Sequence, residues 1–138
     1  MNPRNPSFRQ IVVPAAARLL LGLIYFVFGL NGFLNFLKIT PPPMPEAAMA
    51  YFGGLVKSGY FIPVLGATET LGGFLLLTGF AAPLALVVLA PVTLQIILFH
   101  AFLTPGLPNL VLPIIMVALH ITAAGGYRRI YRPLFSKG

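Results

Sequence analysis

Glu69 is the residue of this 138-residue chain that is best suited to chemistry, because it is the one charged residue in the apolar stretch 61–79. A stretch of this length can cross the hydrocarbon core of a bilayer, and an ionisable group at mid-depth is costly unless it faces other helices and finds a partner. One interpretation is that Glu69 holds or transfers a proton, or accepts a hydrogen bond from a ligand. The other is that it ties neighbouring helices together.

Three more polar side chains are predicted to lie near Glu69. Counting about 1.5 Å per residue from the predicted outer ends of the spans places Glu69 and Gln95 about 12 Å deep, Asn31 about 9 Å and His100 about 5 Å. These four residues are therefore expected to share a polar pocket in the outer half of the protein. His120 lies about 15 Å from His100 along the same axis, too far for the pair to be the axial ligands of one haem.

Composition places these residues in a membrane protein. Hydrophobic residues make up 58% of the chain and charged residues 8%, and the mean hydropathy is +0.93. Soluble domains carry about 25% charged residues. The absence of cysteine excludes disulfides and thiolate metal sites. The net charge of +7 comes largely from the ends of the chain, so nucleic acid is a poor partner, and no metal-ligand spacing, Ser/His/Asp set or phosphate loop is present.

Four apolar segments are each long enough to span a bilayer once. Short uncharged turns separate the last three, so we predict an all-α, antiparallel four-helix bundle that forms a single domain over residues 1–138. The predicted spans are residues 11–37, 61–79, 81–103 and 107–125.

The distribution of positive charge predicts how the bundle is oriented. Lysine and arginine collect before the first span and around the end of the last, which is typical of cytoplasmic ends. The larger loop, residues 38–60, is then extracytoplasmic; it begins with the helix-resistant run ITPPPMP and continues with a segment compatible with a short interfacial helix. Arg18 is expected to anchor the first span at the headgroups. The terminal basic residues are Arg4, Arg9, Arg18, Arg128, Arg129, Arg132 and Lys137.

Glycines at helical spacing predict where the helices approach each other most closely, because small residues let membrane helices pack backbone to backbone. Two groups have this spacing, one in the first span and one in the second. They are Gly22, Gly29 and Gly32, and Gly66, Gly72 and Gly73.

Three runs of the sequence resemble the DoxX family of small four-helix bacterial membrane proteins. They are PPPMPEAAMAYFGGLVKSGYFIPVLGATETLGGFLLLTGF, LAPVTLQIILFHAFL and YRRIYRPLF. The resemblance carries over Glu69, Gly72, Gly73 and His100 as family-pattern positions. It implies a small bacterial inner-membrane protein of the kind that serves as a subunit of quinone-linked oxidoreductases, including the thiosulfate:quinone type. Thiol-active relatives in the wider clan depend on cysteine, which this chain lacks.

Three functional hypotheses follow. The first is an accessory subunit or a module that binds a lipophilic molecule, with no catalytic activity of its own, supporting an oxidoreductase partner. The second is a quinone-reactive subunit in which Glu69 and His100 pass protons, so that quinone is the one cofactor considered. The third is a small transporter, which would require a homo-oligomer because four spans are few for that task.

Overall fold

The computed structural model describes residues 6–136, and within that range the chain is all helical, with no strand. Arg4 and Lys137, two of the basic residues used to predict the orientation, lie outside the described residues. The helices are α1 (Phe8–Leu34), α2 (Glu46–Lys57), α3 (Phe61–Thr78), α4 (Ala82–Phe102), α5 (Leu107–Gly126) and α6 (Arg128–Tyr131), followed by a 3₁₀ turn at Arg132–Phe135. Four of them, α1, α3, α4 and α5, are long and apolar enough to cross a membrane.

The first helix begins and ends earlier than the predicted 11–37, and both ends have a local cause. At the start, the Ser7 backbone N–H donates to the Gln10 side chain at 3.0 Å, which satisfies a donor that the first turn leaves free. At the end, Asn35 takes the left-handed conformation (φ 48°, ψ 41°), a common way for a helix to stop. The Asn31 side chain accepts a hydrogen bond from Leu37 N–H at 2.7 Å and fixes the chain as it leaves.

The four long helices contact one another in a closed ring: α1 packs on α3, α3 on α4, α4 on α5, and α5 on α1. Their shared core is made of aliphatic residues with one tyrosine, Tyr25, among its largest fully buried side chains. The buried members are Ala17, Leu21, Tyr25, Leu76, Ala82, Ala85, Leu86, Leu89, Met116 and Ala123.

The contact between α1 and α3 is the closest of the ring, and glycines make it possible. A Cβ added at Gly29 would lie 2.6 Å from the backbone nitrogen of Thr70, and one at Gly73 would collide with Phe26 backbone. Gly22 faces Leu76 in the same way, and Gly66 faces the ring of Phe33, while Gly72 faces Leu89 of α4. Gly32 was also expected to mark a helix contact, but nothing lies within 4 Å of a Cβ placed there. That expectation was wrong because Gly32 lies on the exposed side of the last turn of α1.

The predicted loop 38–60 contains a helix, α2, directly after the proline-rich segment 41–45. Apart from Ala48, most of this helix is exposed, including the large apolar residues Met49, Phe52 and Val56. Tyr51 attaches it to α4: its hydroxyl accepts a hydrogen bond from Gln95 at 2.6 Å, and its ring packs on Phe99 at 5.8 Å between centroids.

The chain after α5 folds back onto the turn between α3 and α4. The Tyr131 hydroxyl donates to the Pro83 carbonyl at 2.6 Å. Burial, and to a lesser extent the neighbouring Tyr127, raises the pKa of Tyr131 above its ordinary value, which keeps the hydroxyl protonated and able to donate.

Candidate functional site

Glu69 lies on α3 and is half-buried, with its backbone beside Gly29 of α1. Within residues 6–136 its carboxyl group makes no hydrogen bond and no ion pair with another side chain. It lies near enough to Tyr25 for an electrostatic interaction between the two side chains. The acid that the sequence singles out therefore stands beside the α1–α3 contact with its oxygens available.

Asn31 and Gln95, which were predicted to share a pocket with Glu69, make their hydrogen bonds to other residues. Asn31 accepts a hydrogen bond from the Leu37 backbone and so fixes the end of α1. Gln95 is exposed and donates to Tyr51 of α2. Among the described residues, no hydrogen bond joins either of them to Glu69 or His100.

His100, the third expected companion, lies near the end of α4. Its Nδ1 is 2.8 Å from the Ile96 carbonyl, and since a carbonyl can only accept, Nδ1 carries the proton. In the neutral ring Nε2 is then an acceptor, and within the described residues nothing occupies it. The ring also packs edge-on against Phe99 at 5.3 Å, which continues the aromatic row from Tyr51. The hydrogen-bonded route predicted from Glu69 to His100 is not present within residues 6–136.

His100 instead lines a cavity of about 310 Å³ between the proline-rich segment and the junction of α4 and α5. Met44 and Phe99 give this cavity an apolar wall, and Thr104 and Asn109 give it polar atoms. Asn109 is already engaged, because its side-chain NH₂ donates to the Thr104 carbonyl at 3.1 Å. We refer to this space as the His100 cavity; its remaining lining residues are Pro41, Pro42, Pro43, Pro45 and Pro105.

The Thr104 hydroxyl is the unusual feature of the His100 cavity. Thr104 is buried, yet its Oγ1 has no hydrogen-bond partner, and it is the one buried side-chain polar atom in residues 6–136 of which this is true. Leaving a buried hydroxyl unpaired costs about 1–3 kcal/mol. Since Thr104 lines the cavity, a turn of its side chain that brings the hydroxyl to a ligand there would recover that cost.

A second set of polar side chains crosses the centre of the helix ring. The sequence analysis did not predict it as a site. The Tyr25 hydroxyl lies 2.6 Å from Thr93 Oγ1, and the same Oγ1 lies 2.8 Å from His120 Nδ1. His120 Nε2 lies 3.0 Å from the Leu86 carbonyl. We call Tyr25, Thr93 and His120 the central network; it links α1, α4 and α5, and all three residues are buried.

The direction of each bond in the central network follows from its one carbonyl end. The Leu86 carbonyl accepts, so His120 Nε2 donates and, in the neutral ring, Nδ1 accepts. Thr93 then gives its single hydroxyl proton to His120, and Tyr25 gives its own to Thr93. The contact of Thr93 Oγ1 with the Leu89 carbonyl at 3.1 Å shares the same proton. Every polar atom of the network is satisfied, which suits it to hold three helices in register.

The sequence contained a signal for this network. The depth count applied to the four outer residues puts Tyr25, Thr93 and His120 about 15–20 Å below the outer ends of their spans, and so at similar depth. Tyrosine and threonine are uncharged, and for that reason they were not considered. His120 was considered only as a haem ligand.

Residues 6–136 contain no cluster of three or more His, Cys, Asp or Glu side chains that could hold an ion. Among the spaces that residues 6–136 enclose are the His100 cavity and a larger, arginine-lined cavity at the other end of the helix ring.

Comparison with known proteins identifies the family. The family model named DoxX matches residues 13–102, which run from the second turn of α1 to the last residue of α4 and include Glu69 and His100. No curated protein and no solved structure matches the chain. The match covers well over half of the 138 residues; it includes the first of the three sequence runs and all but the last residue of the second, while the third, YRRIYRPLF, lies beyond it. This multi-pass membrane protein therefore belongs to the DoxX family.

Proposed function

We propose that this chain is an accessory membrane module that binds a lipophilic molecule with a carbonyl or hydroxyl group, such as a quinone, in the His100 cavity. The observation that carries the proposal is that Thr104, one of the residues lining that cavity, has a buried hydroxyl with no hydrogen-bond partner. Buried polar groups are almost always paired, so an exception inside a cavity indicates a partner that arrives with a ligand.

The residues that line the cavity offer such a ligand both apolar contacts and hydrogen-bonding groups. Phe99, Met44 and the prolines offer apolar contact, which is what most of a small-molecule pocket provides. His100 Nε2 can accept a proton from a hydroxyl, and the Thr104 hydroxyl can donate to a carbonyl. The oxidised form of a quinone presents carbonyls, which suit the Thr104 donor, and the reduced form presents hydroxyls, which suit the His100 acceptor. The volume of about 310 Å³ fits a head group and leaves a long tail in the bilayer.

The alternative in which Glu69 and His100 pass protons to a quinone receives less support. It requires a continuous route between the two side chains. Within residues 6–136 the Glu69 carboxyl makes no hydrogen bond, and His100 Nδ1 bonds to its own helix. We therefore place the ligand at His100 and Thr104, and give Glu69 no part in holding it.

The same proposal includes an antiparallel bundle with both termini in the cytoplasm of a bacterial inner membrane and loop 38–60 outside. Two observations support the antiparallel bundle: Gly126 at the end of α5 meets Pro14 near the start of α1, and segment 41–45 lines one cavity together with Asn109 at the start of α5. The proposed orientation rests on the lysine and arginine residues near both ends of the chain. The exposed apolar residues of α2 suit either the outer leaflet or an oxidoreductase partner that delivers or receives the ligand.

Thr104→Val tests the proposal, because it removes the hydroxyl and keeps the shape. We expect the ligand-free variant to be as stable as the parent or more so, since it loses an unpaired polar atom. Binding of decylubiquinone should weaken by about three- to tenfold, the effect of one lost hydrogen bond. The measurement is the rise in Tm with quinone concentration for protein in nanodiscs.

Thr78→Val is the matched control, because its hydroxyl bonds within α3 to the Phe74 carbonyl at 3.0 Å and lies outside the His100 cavity. It should leave quinone binding unchanged. Equal binding by Thr104→Val and the parent would show that the cavity is not the quinone site.

A further inference from the structure

The second cavity lies at the opposite end of the helix ring and has a volume of about 830 Å³. It forms where the start of α1 meets the ends of α3 and α5, and Arg9, Arg18, Arg128 and Arg129 all line it. The two acidic residues of the chain, Glu46 and Glu69, lie elsewhere, on α2 and α3. The lining therefore concentrates positive charge and includes no Asp or Glu. We call this space the arginine cavity.

Arg18 is held in place at the base of the arginine cavity. It is half-buried, and its Nη1 donates to the Leu76 carbonyl at 2.9 Å. Gly79, which has φ +79°, provides the room: a Cβ there would lie 2.5 Å from the same nitrogen. A guanidinium has five N–H donors, and this bond uses one. The others can serve an anion without any loss of the contact that positions the side chain.

Neighbouring glycines differ in a way that shapes the cavity. A Cβ at Gly126 would lie 2.7 Å from Pro14, so this glycine serves the packing of α5 on α1. Nothing lies within 4 Å of a Cβ at Gly125, which lines the open space. Beside the arginines, Ile11, Val13 and Ile121 also line the cavity and are exposed. The cavity thus combines a basic floor with an apolar flank at the ends of helices that can span a membrane.

We propose that the arginine cavity binds the phosphate of an anionic phospholipid, with Arg18, Arg9 and Arg128 as its ligands. Arginine suits phosphate because its planar fork can form two parallel charge-assisted hydrogen bonds. Basic pockets between membrane helices are typical seats for anionic headgroups. The exposed isoleucines and valine at the flank give the acyl chains a surface to follow, which a soluble phosphate would not need.

The test compares lipid retention by purified protein using native mass spectrometry, with dioleoyl phosphatidylglycerol and dioleoyl phosphatidylcholine as probes. The parent should retain phosphatidylglycerol in clear excess. Arg128→Gln should weaken that retention by about tenfold, as expected for loss of a charge-assisted contact. Arg132→Gln is the matched control: it removes the same charge from an exposed arginine nearby that does not line the cavity.

A second variant, Gly125→Leu, tests whether the lipid needs the open space of the arginine cavity, and it leaves the charge of the cavity unchanged. Gly125→Leu adds a side chain whose Cβ has nothing within 4 Å and which extends into the open part of the cavity. It should reduce phosphatidylglycerol retention while Tm in phosphatidylcholine nanodiscs stays at the parent value. Equal losses in Arg132→Gln and Arg128→Gln would show general surface attraction and overturn the proposal. Unchanged retention in Gly125→Leu would overturn it as well. Competition by glycerol 3-phosphate at the concentration of the lipid would show a site for soluble phosphate, which also contradicts it.

Discussion

Two threonines of this protein show opposite uses of the same side chain. Thr93 gives its hydroxyl proton to His120 and accepts one from Tyr25, so its oxygen is fully engaged. Thr104 is also buried and has no partner. The first arrangement stabilises the fold, and the second leaves chemistry available to a ligand.

Thr93→Val should therefore destabilise the protein, in contrast to Thr104→Val. The change leaves the Tyr25 hydroxyl and His120 Nδ1 unpaired in the interior, at about 1–3 kcal/mol for each unsatisfied group. Tyr25→Phe removes an outer member of the network and leaves the Thr93–His120 bond, so its cost should be nearer the average of about 0.6 kcal/mol for hydrogen bonds between membrane helices. Unfolding by SDS titration in mixed micelles measures both.

The informative result is which variant, Thr93→Val or Tyr25→Phe, loses more free energy of unfolding. If Tyr25→Phe were as destabilising as Thr93→Val, the hydroxyl of Tyr25 would have a role beyond its bond to Thr93, and the direction assigned to the network would be wrong.

For individual residues, the sequence was a better guide to the important charged group than to the hydrogen bonds that side chains make. Glu69 could be singled out because a carboxyl in an apolar span is rare and costly. The His100 cavity could not be predicted, because it depends on the path of segment 41–45, where the prolines set the backbone but leave its direction open. Thr104 looked ordinary, since whether a hydroxyl is buried and unpaired is decided by packing.

Among the helices, the contact of α1 with α3 depends on backbone approach at Gly22, Gly29 and Gly73. Gly29→Ala places a methyl group 2.6 Å from the Thr70 nitrogen, a backbone atom that cannot move aside without separating the helices. We expect a loss of about 1–3 kcal/mol, the usual cost of overpacking a core. The same SDS titration reports it.

Gly32→Ala is the control in the same helix, because a methyl group there meets nothing within 4 Å. It should be neutral or slightly stabilising, since alanine favours helix by about 1 kcal/mol over glycine. A loss in Gly32→Ala as large as in Gly29→Ala would show that glycine flexibility in α1, and not the close contact, is what matters.

Hydropathy and length predicted the existence of the four long helices and the ends of three of them, whereas they did not predict the ends of α1. The predicted spans at 61–79 and 81–103 agree with α3 and α4 to within a residue at each end. The end of α1 differs more, because the left-handed Asn35 and the Asn31 side chain stop the helix inside an apolar run that continues to Leu37. Helix ends depend on such individual caps, which hydropathy does not detect.

For the whole molecule, the two cavities lie at opposite ends of one helix ring, with the central network between them. This arrangement gives the protein a basic end and an end that carries the His100 cavity. The basic end should face the cytoplasm, following the excess of lysine and arginine there.

A reporter enzyme active only in the cytoplasm, fused after Gly138, should therefore give a signal. A reporter active only outside, fused at the same position, should be silent, and the reverse should hold for fusions within 41–45. The opposite pattern would place the His100 cavity on the cytoplasmic side and contradict the proposed orientation.

The central claim is that a lipophilic ligand occupies the His100 cavity, and photolabelling of the protein in membranes tests it most directly. A photoreactive quinone analogue, followed by peptide mapping, should label residues 41–45 and 99–109, and Thr104→Val should reduce the labelling. Labelling confined to other parts of the chain, or labelling of these peptides that Thr104→Val leaves unchanged, would contradict the claim.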